Sequence, residues 1–261
     1  MIKAAFFDVD GTLVSFQLGK ITLKLREDLL ALRQRGILLF LATGRAKQDL
    51  ARTGMLRDLA FDASVTLNGH CCYNDREVYL DRPICRKDLE GACGVLRANP
   101  QLAALMAGNG ESYVNQLNQR ALEIFDYMHT PPYPVRPPEW MLERKIYQFI
   151  PLVEQGGEEL FLKAMPHCTY TRWHPKGVDI IPIGDGKAEG IRATLEYYGL
   201  KKEEVIAFGD GVNDLSMLAM VGTGVAMGNA VQEVKAEADY VTDTVEEDGV
   251  SQALRHFGLL P

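Results

Sequence analysis

The chain has 261 residues, 47% of them hydrophobic and 24% charged, with a formal net charge of −7. That length allows one large domain or two ordinary ones with a buried core. The acidic balance argues against nucleic acid or an anionic membrane as the main partner.

"IKAAFF" (2–7) is an apolar run that stops at acids, the pattern of a buried parallel strand. A helix is predicted over 22–35, with Leu25, Leu29 and Leu32 on one face and Gly36 as its stop. "ILLFLA" (37–42) is a second buried strand, followed by a helix from Lys47 to about Asp58. "DASVTLNGH" holds a third strand, and "CCYNDREVYL" a hairpin turning at Asn74-Asp75. After Leu80 the texture changes to antiparallel strands and short helices, including one over 154–164, with a proline-rich run "HTPPYPVRPPEW" expected to be extended. From Gly186 helix and strand alternate again, through "EVIAFGD", "GTGVAMG" and "ADYVT" to a last helix ending near His256. The fold expected is α/β: a doubly wound, Rossmann-like parallel-sheet core in two pieces, 1–80 and 186–261. An α+β cap domain, 81–185, is inserted between them, with hinges near 81–83 and 183–186.

Polar residues of a useful kind follow the strands. The first strand delivers Asp8 and Asp10, the second Thr43 and Arg45, and the strand at 204–208 delivers Asp210, Asn213 and Asp214; Lys187 opens the helix after "IIPIGDG". One acid at a strand end is an ordinary turn or cap residue, but this series points to a ligand site. Clustered carboxylates repel one another and call for a cation, and oxygen donors without His or Cys favour Mg²⁺. Mg²⁺ with Lys187 would offset the charge of a phosphate ester. Asp8 could then act as nucleophile, and Asp10, two residues on along an extended segment, as general acid and base. Gly11 would let the backbone approach closely. "GDG" occurs twice, around Asp185 and Asp210; Asp210 reads as the metal carboxylate and Asp185 as a turn or cap residue before Lys187.

These residues resemble the four motifs of the haloacid dehalogenase superfamily of phosphatases: "DVDGT", "LATGR", Lys187 and "GDGVND". The insertion between the second and third motifs, with "NGH", "GVAMGNA" and "EDGVSQAL", is similar to the C2-capped, Cof-type branch (subclass IIB), and hexose-phosphate phosphatases in particular. The resemblance implies that Asp8 is the nucleophile and a Mg²⁺ ligand. Asp10 is the acid/base and binds the metal through its main-chain carbonyl, and Asp210 is a further metal ligand. Thr43, Lys187 and Asn213 hold the phosphoryl group, with Asp214 behind them. Arg45, Asn68 and Gly69 are candidate substrate contacts. A short Lys-Gly is common at the third motif, whereas Lys187 is followed by Ala188, Glu189 and Gly190.

Other signals are weaker. The five cysteines, at 71, 72, 85, 93 and 168, contain no C-x-x-C, so neither a disulfide framework nor a zinc site is indicated, and the five histidines show no metal spacing. A P-loop fails at Ile181 and Ala188. Within "YTRWHPKG", Trp173, His174 and Lys176 could meet a sugar phosphate from the cap. The start, "MIKAAFFDVDG", turns acidic too soon for a signal peptide, and no apolar run nears the roughly 20 residues that span a bilayer, so a cytoplasmic protein is expected. The function expected is a Mg²⁺-dependent phosphatase acting on small phosphate monoesters, chiefly hexose phosphates. The alternatives are a phosphomutase, a phosphatase of a phosphorylated cofactor, and a non-enzymatic binding module. Oligomeric state is left open.

Overall fold

A computed structural model describes residues 1–261 except Phe16, Arg57 and Asp58. In chain order, the described strands are β1 (Ala4–Phe7), β2 (Leu38–Ala42), β3 (Ala63–Thr66), β4 (Cys71–Tyr73), β5 (Val78–Asp81), β6 (Ala104–Gly108), β7 (Ser112–Val114), β8 (Ile146–Pro151), β9 (Cys168–His174), β10 (Gly177–Pro182), β11 (Val205–Gly209), β12 (Thr223–Ala226) and β13 (Tyr240–Val241). The α-helices are α1 (Leu23–Gln34), α2 (Lys47–Thr53), α3 (Arg86–Ala98), α4 (Gln119–Tyr127), α5 (Glu159–Leu162), α6 (Lys187–Tyr198), α7 (Leu215–Met220), α8 (Gln232–Glu237) and α9 (Gly249–His256).

The chain divides into two compact units. Met1–Gly44, Gly54–Asp81 and Asp185–Pro261 form the first; Arg45–Thr53 and Arg82–Gly184 form the second. The first holds a sheet of order β13-β12-β11-β1-β2-β3-β4-β5, parallel from β13 to β3, with β4 and β5 added antiparallel. β1 reads Ala-Ala-Phe-Phe and is buried throughout because strands flank it on both edges. Phe6 packs on Phe40, and Phe7 stacks on Phe208 with ring centroids 5.1 Å apart. α1 starts at a Thr22 cap, whose side chain accepts from the Leu25 amide, and buries Leu25, Leu29 and Leu32. α6 buries Ile191 and Leu195 in the cluster that holds Phe6, Phe40 and Val205.

The second unit is an antiparallel sheet of order β7-β6-β8-β10-β9. Alternate residues of β6 enter different cores. Ala104 and Met106 join Leu89 and Leu96 of α3 and Phe161 of α5, while Leu105 joins Ile124 and Phe125 of α4.

Several elements depart from the sequence reading. α2 stops at Thr53, with Gly54 following at φ +63; the expected end at Asp58 lies outside the described residues. α2 also groups with the second unit, not with the 1–80 segment that contains it, because Gln48 bonds Gly108 and Ser112. α5 has four residues, not the eleven of 154–164, since Gly156 and Gly157 precede it and Gly156 takes a left-handed turn. The end of the proline-rich run folds into a 3₁₀ helix, Pro138–Glu143, begun by its own prolines. Leu67, Asn68 and Gly69 leave β3 in three successive left-handed conformations, with φ of 55°, 53° and 89°. Among the described residues no helix is long and apolar enough to cross a membrane.

Candidate active site

Strand register brings the motif residues of the first unit level. Phe7 pairs with Leu41 on one side and with Phe208 on the other. Asp8 therefore leaves the sheet beside Ala42 and Gly209, and Thr43 and Asp210 follow one residue further. Strand order reverses here: β2 and β3 extend from one side of β1, and β11 to β13 from the other. Open parallel sheets bind ligands in the crevice at this point.

Lys187 is fully buried at the start of α6 and donates from Nζ to Asp8 Oδ1 and Asp214 Oδ1, each at 2.6 Å. Asp214 Oδ2 accepts from the amides of Asp210 (3.0 Å) and Gly211 (2.9 Å). Both oxygens of Asp214 are thus engaged, and it braces the lysine and the loop after β11. Carboxylate oxygens of Asp8, Asp210 and Asp214 lie within 4.8 Å of one another. Gly11 sits at φ +80 directly against the Asp210 carboxylate, where any Cβ would collide with it. The segment after β1 curls back on itself, with the Val14 amide on the Val9 carbonyl and Gly11 donating to Val14. Asp10 is half-buried within this curl.

The charge balance is uneven. Burial raises Asp8 to about 7; Lys187 opposes the rise, while Asp214 and Asp10 add to it. Burial, with Asp8 and Asp214 nearby, raises Asp210 to about 8. Burial works against the Lys187 charge, yet Asp214 and Asp8 hold its pKa above the ordinary lysine value. One ammonium faces three carboxylates, and burial with mutual repulsion pushes two of them, Asp8 and Asp210, toward the protonated form.

Thr43 is buried; its amide donates to Val65 and its carbonyl accepts from Asn68. The left-handed turn places the Asn68 side chain to accept from Asn213 Nδ2 at 3.0 Å, so the ends of β3 and β11 are linked. A Cβ on Gly69 would collide with the Gly186 carbonyl, immediately before Lys187. Packing against the start of α6 is thus the reason for glycine at 69.

Arg45, Trp173 and His174 belong to the second unit. Arg45 donates to the Met128 carbonyl at 3.4 Å and reaches Thr130 at 3.5 Å. Trp173 Nε1 donates to Asp179 at 2.8 Å, and Trp173 and His174 pack against Tyr127. Burial, with Lys176 and Arg172 near, lowers the His174 pKa. Lys176 is paired with Glu123 at 2.8 Å.

One residue of the first unit escapes the motif reading. Asn229 donates to Asp210 Oδ2 (3.2 Å) and the Gly11 carbonyl (2.8 Å), and its own oxygen accepts from Val245. It fixes the carboxylate of Asp210 against the Gly11 turn; the "GNA" within "GVAMGNA" was the available signal. Asp185 stays apart: its carboxylate pairs with Arg192 at 3.0 Å on the surface, and its carbonyl accepts from Ala188.

Acids gathered at the switch point of a parallel sheet, in a chain interrupted by an α+β unit, mark a Rossmann-like core with an inserted domain. The family model of haloacid dehalogenase-like hydrolases matches residues 5–254, and the chain belongs to that family. YkrA of Bacillus subtilis (strain 168), which carries the provisional name of phosphatase, is 32% identical over 258 residues, covering 99% of this chain and 98% of its own. The structure of the subclass IIB sugar phosphatase BT4131 matches with a TM-score of 0.91 at 35% identity, over 99% of this chain and 100% of that one. A third relative, the 5-amino-6-(5-phospho-D-ribitylamino)uracil phosphatase YitU of Bacillus subtilis (strain 168), is 47% identical over 109 residues, 41% of this chain and 40% of its own. The chain is a phosphatase of this family.

Proposed function

We propose that the chain is a Mg²⁺-dependent phosphatase of small phosphate monoesters, sugar phosphates foremost, that works through a phosphoryl group carried on Asp8. The observation that carries this reading is the buried Lys187 bridging Asp8 and Asp214 beside the raised Asp210. Lys187 holds Asp8 by Oδ1, which leaves Oδ2 for attack on phosphorus. Asp10 gives its proton to the departing alkoxide, then takes one from the water that hydrolyses the acyl phosphate. Lys187, Thr43 and Asn213 hold the phosphoryl oxygens.

The donor set suits a hard cation: oxygen atoms only, with more negative charge than Lys187 neutralises. Asp8, Asp210 and the Asp10 carbonyl would hold Mg²⁺, since both oxygens of Asp214 are already engaged. When bound, the ion supplies positive charge against the phosphoryl oxygens.

The inserted unit selects the leaving group in this reading. Trp173 and His174 are its candidate aromatic contacts, and the sugar phosphatase among the structural relatives favours a sugar. A phosphorylated non-sugar compound is the second reading, favoured by the likeness to YitU. Asp8→Asn should lower phosphate release by about 10³-fold or more while leaving the fold intact; retained turnover would remove the mechanism. A panel of phosphorylated metabolites ranked by kcat/KM with Mg²⁺ decides between hexose phosphates and ribityl-pyrimidine phosphates.

A further inference from the structure

The second unit contains a cluster of side chains that the phosphatase reading does not use. Cys85 is the residue before α3, and its side chain makes no capping hydrogen bond there. Asp88 lies in the first turn of α3 and is fully buried; His167 precedes β9. The Cys85 thiol is 3.9 Å from His167 Nδ1, and that nitrogen is 3.0 Å from Asp88 Oδ1. One ligand atom from each residue lies within 4.8 Å of the other two.

We infer that Cys85, Asp88 and His167 form a second cation site, for a borderline divalent ion of the zinc class. The first reason is donor chemistry. Thiolate, imidazole and carboxylate together select zinc-class ions over Mg²⁺ or Ca²⁺, which take oxygen. The second is spacing. Ordinary Zn–S, Zn–N and Zn–O bonds in a tetrahedron separate the donors by about 3.3–3.8 Å. The two edges at His167, 3.9 and 3.0 Å, are within a few tenths of an ångström of that range, and the Cys85–Asp88 edge is within 4.8 Å. The third is support behind the carboxylate. Asp88 Oδ2 already accepts from the His167 amide (3.1 Å) and the Cys168 thiol (3.4 Å), which fixes the group and directs Oδ1 to the ion. A tie between Asp88 and the His167 backbone would account for the buried acid, but not for a thiol brought to the same nitrogen.

On binding, Cys85 loses its thiol proton to solvent, and His167 presents Nδ1 unprotonated with its proton on Nε2, so affinity rises with pH. The exposed side chain of His167 leaves the fourth position to water. The ion would join two points 79 residues apart in the chain and so clasp the inserted unit. No residue of the proposed phosphate site takes part, so the inference stands independently of that function.

The test is a Co²⁺ titration of the reduced, metal-stripped full chain in excess Mg²⁺. A thiolate-to-cobalt charge-transfer band should grow to one equivalent and be displaced by Zn²⁺; cobalt on oxygen ligands alone gives no such band. Cys85→Ser should abolish the band, His167→Gln should weaken Co²⁺ binding at least tenfold, and Cys93→Ser should retain it. Turnover with Mg²⁺ should be unchanged in Cys85→Ser, and the rise in Tm with Zn²⁺ should disappear. A reduced, folded wild type without the band, or a band that survives Cys85→Ser, would overturn the site.

Discussion

The two units handle buried acids in opposite ways. In the first, Asp8, Asp210 and Asp214 converge on one crevice and share the single ammonium of Lys187. In the second, the acids are scattered and each is met where it stands. Asp49 takes a hydrogen bond from Ser112, Asp88 from His167 and Cys168, and Asp179 from Gln148 and Trp173. The difference follows from sheet type. A parallel sheet ends all its strands on one edge, so short motifs far apart in sequence meet there. An antiparallel sheet sends consecutive strand ends to opposite edges, and its buried acids pin neighbouring segments. Convergent acids remain short of positive charge, which suits a cation and a phosphate; dispersed acids find local hydrogen-bond donors, and of the three only Asp88 also lies beside a thiol and an imidazole.

The contrast is most exposed at Lys187. Lys187→Met should lower kcat by about 10²-fold or more and destabilise the fold by about 3–5 kcal/mol above pH 8, because Asp8 and Asp214 lose their shared partner. A variant of near wild-type Tm at that pH would mean the carboxylates are settled without it. Asn229→Ala frees the Asp210 carboxylate, and about a 10-fold fall in both Mg²⁺ affinity and kcat/KM should follow; an unchanged Mg²⁺ dependence would take Asn229 out of the positioning role.

A smaller effect comes from pH. The folded pKa values of Asp8 and Asp210, about 7 and 8, lie above the ordinary 3.8. Their contribution to stability is therefore full below pH about 4 and is lost as pH rises through 7 and 8. Mg²⁺ should restore it, so the gain in Tm with Mg²⁺ should be larger at pH 8 than at pH 6. A gain independent of pH would show that the acids carry no surplus charge. Smallest of all is Asp49→Asn. Burial raises the Asp49 pKa, so the neutral amide should be at least as stable at pH 8, with kcat within about twofold of wild type. A tenfold loss of kcat would erase the distinction between the two sets of acids.

The convergent set is legible in the sequence because each motif combines an apolar run with the acids or cation that follow it. Register then does the rest, since Phe7, Leu41 and Phe208 are paired. What stays hidden depends on contacts between distant residues. Nothing in "TLNGH" announces three successive left-handed residues, because Leu67 adopts that conformation only within the turn that brings Asn68 to Asn213. Asn229 carries no charge, and the "GNA" that holds it does not show that it reaches Asp210 and the Gly11 carbonyl. The helical pattern of α2 shows that a helix forms, but not that Gln48 bonds it to β6 and β7. Cys85 and Asp88 lie too far from His167 for any local spacing rule to connect them.

The allegiance of α2 has a consequence for exchanging parts between relatives. The chain passes between units at four places, after Gly44, Thr53, Asp81 and Gly184. The inserted unit is therefore not a cassette that two cuts can remove. A chimaera that replaces only 82–184 keeps the host's Gln48 and Asp49, which bond Gly108 and Ser112, facing foreign partners. Transplanting 45–53 along with 82–184 carries those bonds intact, so modularity here is a property of the hydrogen bonds rather than of contiguous sequence.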